Sequence, residues 1–179
     1  KECHVLYAGA LTKEKGWNRV ITTMEHIAKQ MPQIQFQLDI ISKDHLSYLQ
    51  KYDNLSINRH TFMPFDQFCQ QIVKYDLFLD LRDIDFENTR CLPIKLFYYL
   101  ACGRPSIYSN LSAIKKGIPE ITQCTKLVNN PTEAVDALAD YIYNKSLYQA
   151  HCSNALRWAK DKYNWNKIKH HFTQLIHEI

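Results

Sequence analysis

The sequence predicts an α/β class fold, a doubly wound, Rossmann-like parallel sheet of about six strands with extra helices at its C-terminal end. Three observations predict it. Short apolar runs alternate with amphipathic stretches of helical period, which is the pattern of a parallel sheet covered on both faces. Proline and glycine punctuate that alternation at Pro32, Pro64, Pro93, Gly103, Pro105 and Pro131. The last third of the chain carries helical periodicity with almost no strand signal.

The elements follow in order. Val5 to Ala8 is apolar and forms the first strand. Trp17, Val20, Ile21, Met24, Ile27, Ala28 and Met31 share one face of a helix that Pro32 stops. Ile34 to Ile41 alternates apolar residues with Gln35, Gln37 and Asp39, which predicts a strand only partly buried or near a sheet edge. A helix over Asp44 to Tyr52 leads to a third strand, Leu55 to Phe62. Pro64 opens a helix running through Tyr75. Asp76 to Leu81 is an apolar run of the kind found at a sheet centre, and a polar loop, Arg82 to Leu92, follows it. Pro93 starts a helix that Gly103 caps, and Pro105 to Asn110 and Lys126 to Asn129 are short fifth and sixth strands. Helices then begin at Pro131 and cover Leu147 to Lys162, and a last one aligns Ile168, Phe172, Leu175, Ile176 and Ile179.

At 179 residues the chain suits one well-buried domain, residues 1–179, rather than two. No apolar run reaches the roughly 18 residues that span a bilayer, and the N-terminus resembles neither a signal nor a transit peptide. It also lacks Met, as expected of a piece of something longer. Six cysteines stand singly, without C-x-x-C pairs, which predicts reduced, mostly buried thiols and a cytoplasmic setting. The net charge is +4, and the excess lies wholly from Lys145 onward. That modest charge, with no nucleic-acid-binding signature, argues against DNA or RNA as a partner.

The loop Gly9-Ala10-Leu11-Thr12-Lys13-Glu14-Lys15-Gly16 joins the first strand to the first helix. Strand-to-helix turns of this kind hold phosphates, because glycine lets backbone N–H groups approach an anion and the helix start adds partial positive charge. Lys15 adds a full charge. Glycine there for geometry alone, with Lys15 solvated, fits the same residues. Neither a dinucleotide fingerprint nor a P-loop is present. In the usual strand order the sheet reverses between its first and fourth strands, opening a crevice bordered by Gly9 to Gly16 and by Arg82 to Pro93.

The second of these loops and its helix contain Leu92-Pro93 and Ala101-Cys102-Gly103-Arg104-Pro105. Here the chain resembles the C-terminal, donor-binding half of GT-B glycosyltransferases of the group-1, family 4-like type. Gly9 to Gly16 resembles that family's Gly-x-Leu-x-x-x-Lys-Gly loop, Phe62-Met63-Pro64 its base-reading turn, Gly117-Ile118-Pro119-Glu120 a later turn, and Tyr163-Asn164-Trp165 the aromatic start of the last helix. The likeness spans nearly the whole chain. It implies a nucleotide-diphosphate sugar as donor substrate, no separate cofactor, and transfer to a glycan or lipid-linked acceptor by a retaining, metal-independent reaction. It also implies an N-terminal acceptor-binding domain not included in this sequence, and polysaccharide biosynthesis as the setting.

The family's two Glu, separated by seven residues, are absent: Tyr98 stands at the second position and Arg90 lies eight residues earlier. The Arg that follows the first loop's glycine in the family is Ala10. The preferred reading makes Lys15, Arg90 and Lys95 the catalytic cations that stabilise the departing diphosphate, with Tyr98 donating a hydrogen bond to the ribose. Gly9, Gly16, Phe62, Met63 and Tyr98 are then the nucleotide-binding residues. The alternatives are a catalytically inactive nucleotide-sugar-binding or scaffolding domain, or cations that line a solvated loop.

Other motifs carry less. Asp83 and Asp85 are a possible pair for a hard cation or an ordinary polar loop, and no metal is assigned. His170-His171 has no partner at ligand spacing, and Cys102 reads as core rather than nucleophile. Lys160, Lys162, Lys167 and Lys169 beside Trp158 and Trp165 are either a contact with the inner membrane surface or a solvated helical face.

Overall fold

In the computed structural model, which describes residues 1–45, 52–164, 166 and 169, the strands are β1 (Glu2–Ala8), β2 (Gln35–Ile41), β3 (Leu55–His60), β4 (Leu77–Asp80), β5 (Ser106–Ser109) and β6 (Thr125–Val128). All pair in parallel, in the order β3-β2-β1-β4-β5-β6. The helices are α1 (Trp17–Gln30), α2 (Phe65–Ile72), α3 (Ile94–Ala101), α4 (Ser112–Gly117), α5 (Pro131–Tyr143) and α6 (Lys145–Asp161). The predicted helix over Asp44 to Tyr52 lies mostly outside the described residues, as do Trp165, Lys167, His170, His171 and the stripe from Ile168 to Ile179.

Each central strand feeds two cores, because successive side chains point to opposite faces. Val5 and Tyr7 of β1 pack with Val20, Met24 and Ile27 of α1 and with Leu138 of α5. Leu6 and Ala8 pack on the other face with Phe68 of α2, Leu96, Tyr99 and Leu100 of α3, and Ala155 and Trp158 of α6. Phe78 of β4 stacks on Tyr99 with ring centroids 4.1 Å apart. β4 is buried throughout, as its apolar run predicted for a central strand.

β2 lies second from the sheet edge, between β3 and β1, near an edge as its alternation predicted. Its polar Asp39 is buried and satisfied: the carboxylate accepts hydrogen bonds from Gln37 Nε2, Asn58 Nδ2 and Tyr75 Oη at 3.0, 3.0 and 2.8 Å. Buried polar groups of this kind are tolerated when paired. The structure differs from the sequence expectation in three places. α4 was not predicted, since Gly117 and Pro119 read as a turn; Gly117 is its last residue and Ile118 to Glu120 form that turn. β3 stops at His60, leaving Phe62 outside the sheet. Finally, only Cys3 and Cys124 are buried, and Cys91 is exposed, so the six free thiols are not mostly interior.

α5 carries the most complete cap. Asn130 Oδ1 accepts the Glu133 amide at 2.9 Å, and Glu133 Oε2 accepts the Asn129 amide at 2.7 Å. Pro131 occupies the first turn, where its missing N–H costs nothing. Asn130→Ala is expected to lower stability by about 1 kcal/mol in urea unfolding, the usual cost of a lost N-cap.

Candidate functional site

The strand order reverses between β1 and β4, so the segments leaving their C-terminal ends run in different directions and a cleft opens between them. The segment Gly9 to Gly16 is fixed first by Tyr7, whose hydroxyl donates to the carbonyl oxygens of Ala10 and Lys15 at 2.5 and 3.2 Å. It is then tied to the segment after β4: the Asp83 amide and Asn88 Nδ2 both donate to the Glu14 carbonyl, at 3.2 and 3.1 Å. The two loops that the sequence placed around one crevice therefore meet.

Between the end of β1, the end of β2 and the start of α2 and α3 lies a cavity of about 430 Å³. Gly9 and Ala10 form one end. Phe62, Met63, Phe65, Phe68 and Tyr98 form an aromatic and thioether wall, in which the Tyr98 ring packs 5.1 Å from Phe65 and 6.2 Å from Phe68. Ser42, Lys43, Asp44 and Lys95 supply the polar lining. A largely apolar concavity with a few converging polar groups is the usual form of a small-molecule site.

Five residues singled out from the sequence, Gly9, Phe62, Met63, Lys95 and Tyr98, line this one cavity. The others do not. Gly16 is buried at the start of α1, with φ of 81°, against the Leu81 carbonyl. Lys15 is exposed, and its side chain has no ion-pair partner among the described residues. Arg90 is also exposed, its guanidinium lying 3.4 Å from the centroid of the Phe86 ring. The three expected cations are thus not gathered: Lys95 faces the cavity, while Lys15 and Arg90 stand outside its lining.

Lys95 is held from behind. Its ammonium donates to the Ala8 carbonyl and sits 3.3 Å from Asp80 Oδ2. Asp80 is 1% exposed and also accepts from Arg82 Nε at 2.9 Å and Tyr108 Oη at 2.6 Å. Burial alone would raise its carboxyl pKa; Lys95, Arg82 and these hydrogen bonds outweigh it and hold the group below its ordinary value. Asp80 and Arg82 escaped the sequence reading. A charged residue closing the buried run Leu77-Phe78-Leu79 was the available signal, since such a charge needs partners. Gly9 fits this arrangement tightly: a Cβ there would lie 3.1 Å from Lys95 Nζ and 3.2 Å from Tyr7 Oη.

Asp83 and Asp85 do not converge. Asp85 accepts the Asn88 amide and Asn88 Nδ2, at 2.7 and 3.0 Å, while Asp83 lies 3.9 Å from Arg19 Nη1. No cluster of three or more His, Cys, Asp or Glu suited to a metal ion occurs among the described residues. Burial pushes the Cys102 thiol up to about 11, which keeps it protonated and poorly nucleophilic at neutral pH. Lys162 is engaged by Glu120 at 2.9 Å, and no described helix is long and apolar enough to cross a membrane.

No family model and no curated protein sequence matches the chain. Its likeness is to solved structures. HepE of Anabaena, solved in complex with UDP-glucose, superimposes with a TM-score of 0.73 at 16% identity, over 98% of this chain and 49% of that one. WaaG, a glycosyltransferase involved in lipopolysaccharide biosynthesis, gives 0.69 at 14% identity, over 90% and 43%. The C-terminal domain of LpcC, a glycosyl transferase group 1 family protein from Francisella tularensis, gives 0.64 at 13% identity, over 92% and 87%. The chain spans less than half the length of HepE and WaaG, and at these identities the likeness is one of fold.

Proposed function

We propose, from a fold shared with the GT-B group-1 glycosyltransferases, that this chain is the nucleotide-sugar-binding half of a glycosyltransferase. One observation carries the reading: Gly9, Phe62, Met63, Lys95 and Tyr98, chosen from the sequence alone, line a single cavity where the strand order reverses. In this reading the aromatic wall takes the base and ribose, and the glycine-loop end faces the diphosphate. Tyr98 donates its phenolic hydrogen bond to the sugar ring it packs against.

Departure of a nucleoside diphosphate needs its growing negative charge stabilised more than it needs a protein nucleophile. Lys43 and Lys95 are the cations of the cavity lining, and α3 adds the partial positive charge of its first turn. The reading takes transfer to be retaining and metal-independent, with a glycan or lipid-linked acceptor held by a second domain. Lys15 and Arg90 would act only once donor and acceptor domain close over the cleft. The six free thiols support a cytoplasmic setting, and Lys160 with the basic residues beyond it supports a peripheral contact with anionic lipid.

Calorimetric titration of the chain with a panel of sugar nucleotides tests this directly. Binding of at least one member is expected, and Tyr98→Ala should weaken it about tenfold through loss of ring stacking and one hydrogen bond. Failure of every sugar nucleotide to bind overturns the proposal. Turnover by the protein containing both domains, read as release of nucleoside diphosphate, then distinguishes transferase from binding module.

A further inference from the structure

We propose that Asp44 sets the charge preference of the cavity, because its carboxylate occupies the Leu11 amide at the glycine-loop end and a ligand phosphate must displace it. The inference rests on the reading that this cavity takes a nucleotide. Asp44 Oδ2 accepts the Leu11 N–H at 2.6 Å, a short, charge-assisted bond across two loops that are 33 residues apart in sequence. Backbone N–H groups of a loop opened by glycine are the donors an anion would use, and here one of them already holds an anion belonging to the protein.

The placement of that carboxylate is built rather than incidental. The Asp44 amide donates to Ser42 Oγ at 3.1 Å. From β3, Arg59 donates through Nε to the Asp44 carbonyl at 2.7 Å and through Nη2 to the Lys43 carbonyl at 3.4 Å. Residues 42–44 are therefore held from two sides, by the Leu11 amide and by Arg59, and Arg59 acts as a positioning residue for the strap that carries Asp44.

The cations near this end have partners of their own. Lys95 lines the cavity beside Gly9, but its ammonium is engaged by Asp80 and the Ala8 carbonyl, and the Lys43 ammonium sits 4.6 Å from the Phe62 ring centroid. Asp44 thus stands at the glycine-loop end, whereas the opposite wall is formed by Phe62, Phe65, Phe68 and Tyr98. With the Leu11 N–H already taken, a phosphate at the glycine-loop end gains less than it would from a free amide, while the flat apolar part of a ligand keeps its full contact with the aromatic wall.

The test compares uridine, adenosine and guanosine with their diphosphates by calorimetry, using the chain, Asp44→Asn and Asp44→Ser. Both substitutions keep a side chain able to hydrogen-bond, and a thermal melt checks folding. For the base that binds, the unsubstituted chain is expected to favour diphosphate over nucleoside by less than about tenfold. Each variant should tighten diphosphate binding by about tenfold and leave nucleoside binding within about twofold, as removal of one nearby like charge predicts. Equal gains for both ligands, or no gain, overturn the assignment. A preference above about tenfold in the unsubstituted chain overturns it without any variant. Binding of none of the six ligands to any of the three proteins overturns the nucleotide reading itself and the inference with it.

Discussion

Gly16→Ala should lower the free energy of unfolding by about 4 kcal/mol, the largest loss expected from a methyl added at any of the four glycines. Gly16 adopts φ of 81°, and a Cβ built there would lie 1.9 Å from the Leu81 carbonyl oxygen and 2.7 Å from the Arg82 amide nitrogen. Both contacts are backbone at the end of β4, so no side chain can rotate away. Gly103 provides the comparison. It too has positive φ, 62°, but its nearest neighbour would be the Leu156 Cβ at 3.3 Å. Gly103→Ala therefore pays chiefly for left-handed backbone and should cost about 1–2 kcal/mol. Urea unfolding of the two variants separates the effects. Equal losses would mean that backbone conformation, not the contact with Leu81, makes glycine necessary at position 16. Because that contact seats the first loop on the second, Gly16→Ala should also weaken ligand binding more than Gly103→Ala does.

The second large effect is at Asp80. Asp80→Ala leaves Lys95 and Arg82, both mostly buried, without their shared carboxylate, and strips Tyr108 of its acceptor. Breaking a buried ion pair from one side is far costlier than removing both partners, and a loss of about 3 kcal/mol is expected. Asp80→Asn retains an acceptor for Tyr108 and should cost less. The same carboxylate makes stability depend on pH in a definite direction. Its folded pKa lies below the ordinary value of about 3.9, so its contribution is complete above that value and is lost as pH falls through the folded pKa. Asp39, whose burial is outweighed by hydrogen bonds from Asn58, Tyr75, His60 and Gln37, shifts the same way. Stability followed from pH 6 downward should fall in acid, and more shallowly for Asp80→Asn than for the unsubstituted chain. A parallel fall would assign the acid sensitivity to other carboxylates.

Much of the cavity was legible in the chain, and the reason is local. Phe62, Met63, Lys95 and Tyr98 lie just past a strand or in the first turns of a helix, positions that the β-α alternation already directs to one end of a parallel sheet. Lys15 and Arg90 lie in the two loops that border the cleft, yet they are outside the cavity lining. A loop's location follows from its flanking elements, but the direction of a long exposed side chain does not; for Arg90 the neighbouring Phe86 ring decided it through a cation–π contact. Asp44 was invisible for the opposite reason. Its partner, Leu11, lies on another loop, and only the pairing of β1 with β2 brings the two together.

The amino-acid order by itself determined a six-stranded, doubly wound sheet, because hydrophobic period, helix-starting prolines and a capping glycine are short-range signals that each element carries internally. It also determined which two loops border the cleft, since strand order and crossover hand leave little choice. Tertiary structure decided the charge arrangement: which carboxylate neutralises Lys95, which amide Asp44 occupies, and which cations turn outward. These depend on distances of 2 to 4 Å between residues far apart in sequence, and electrostatic energy at that range changes with every ångström and with the burial around it.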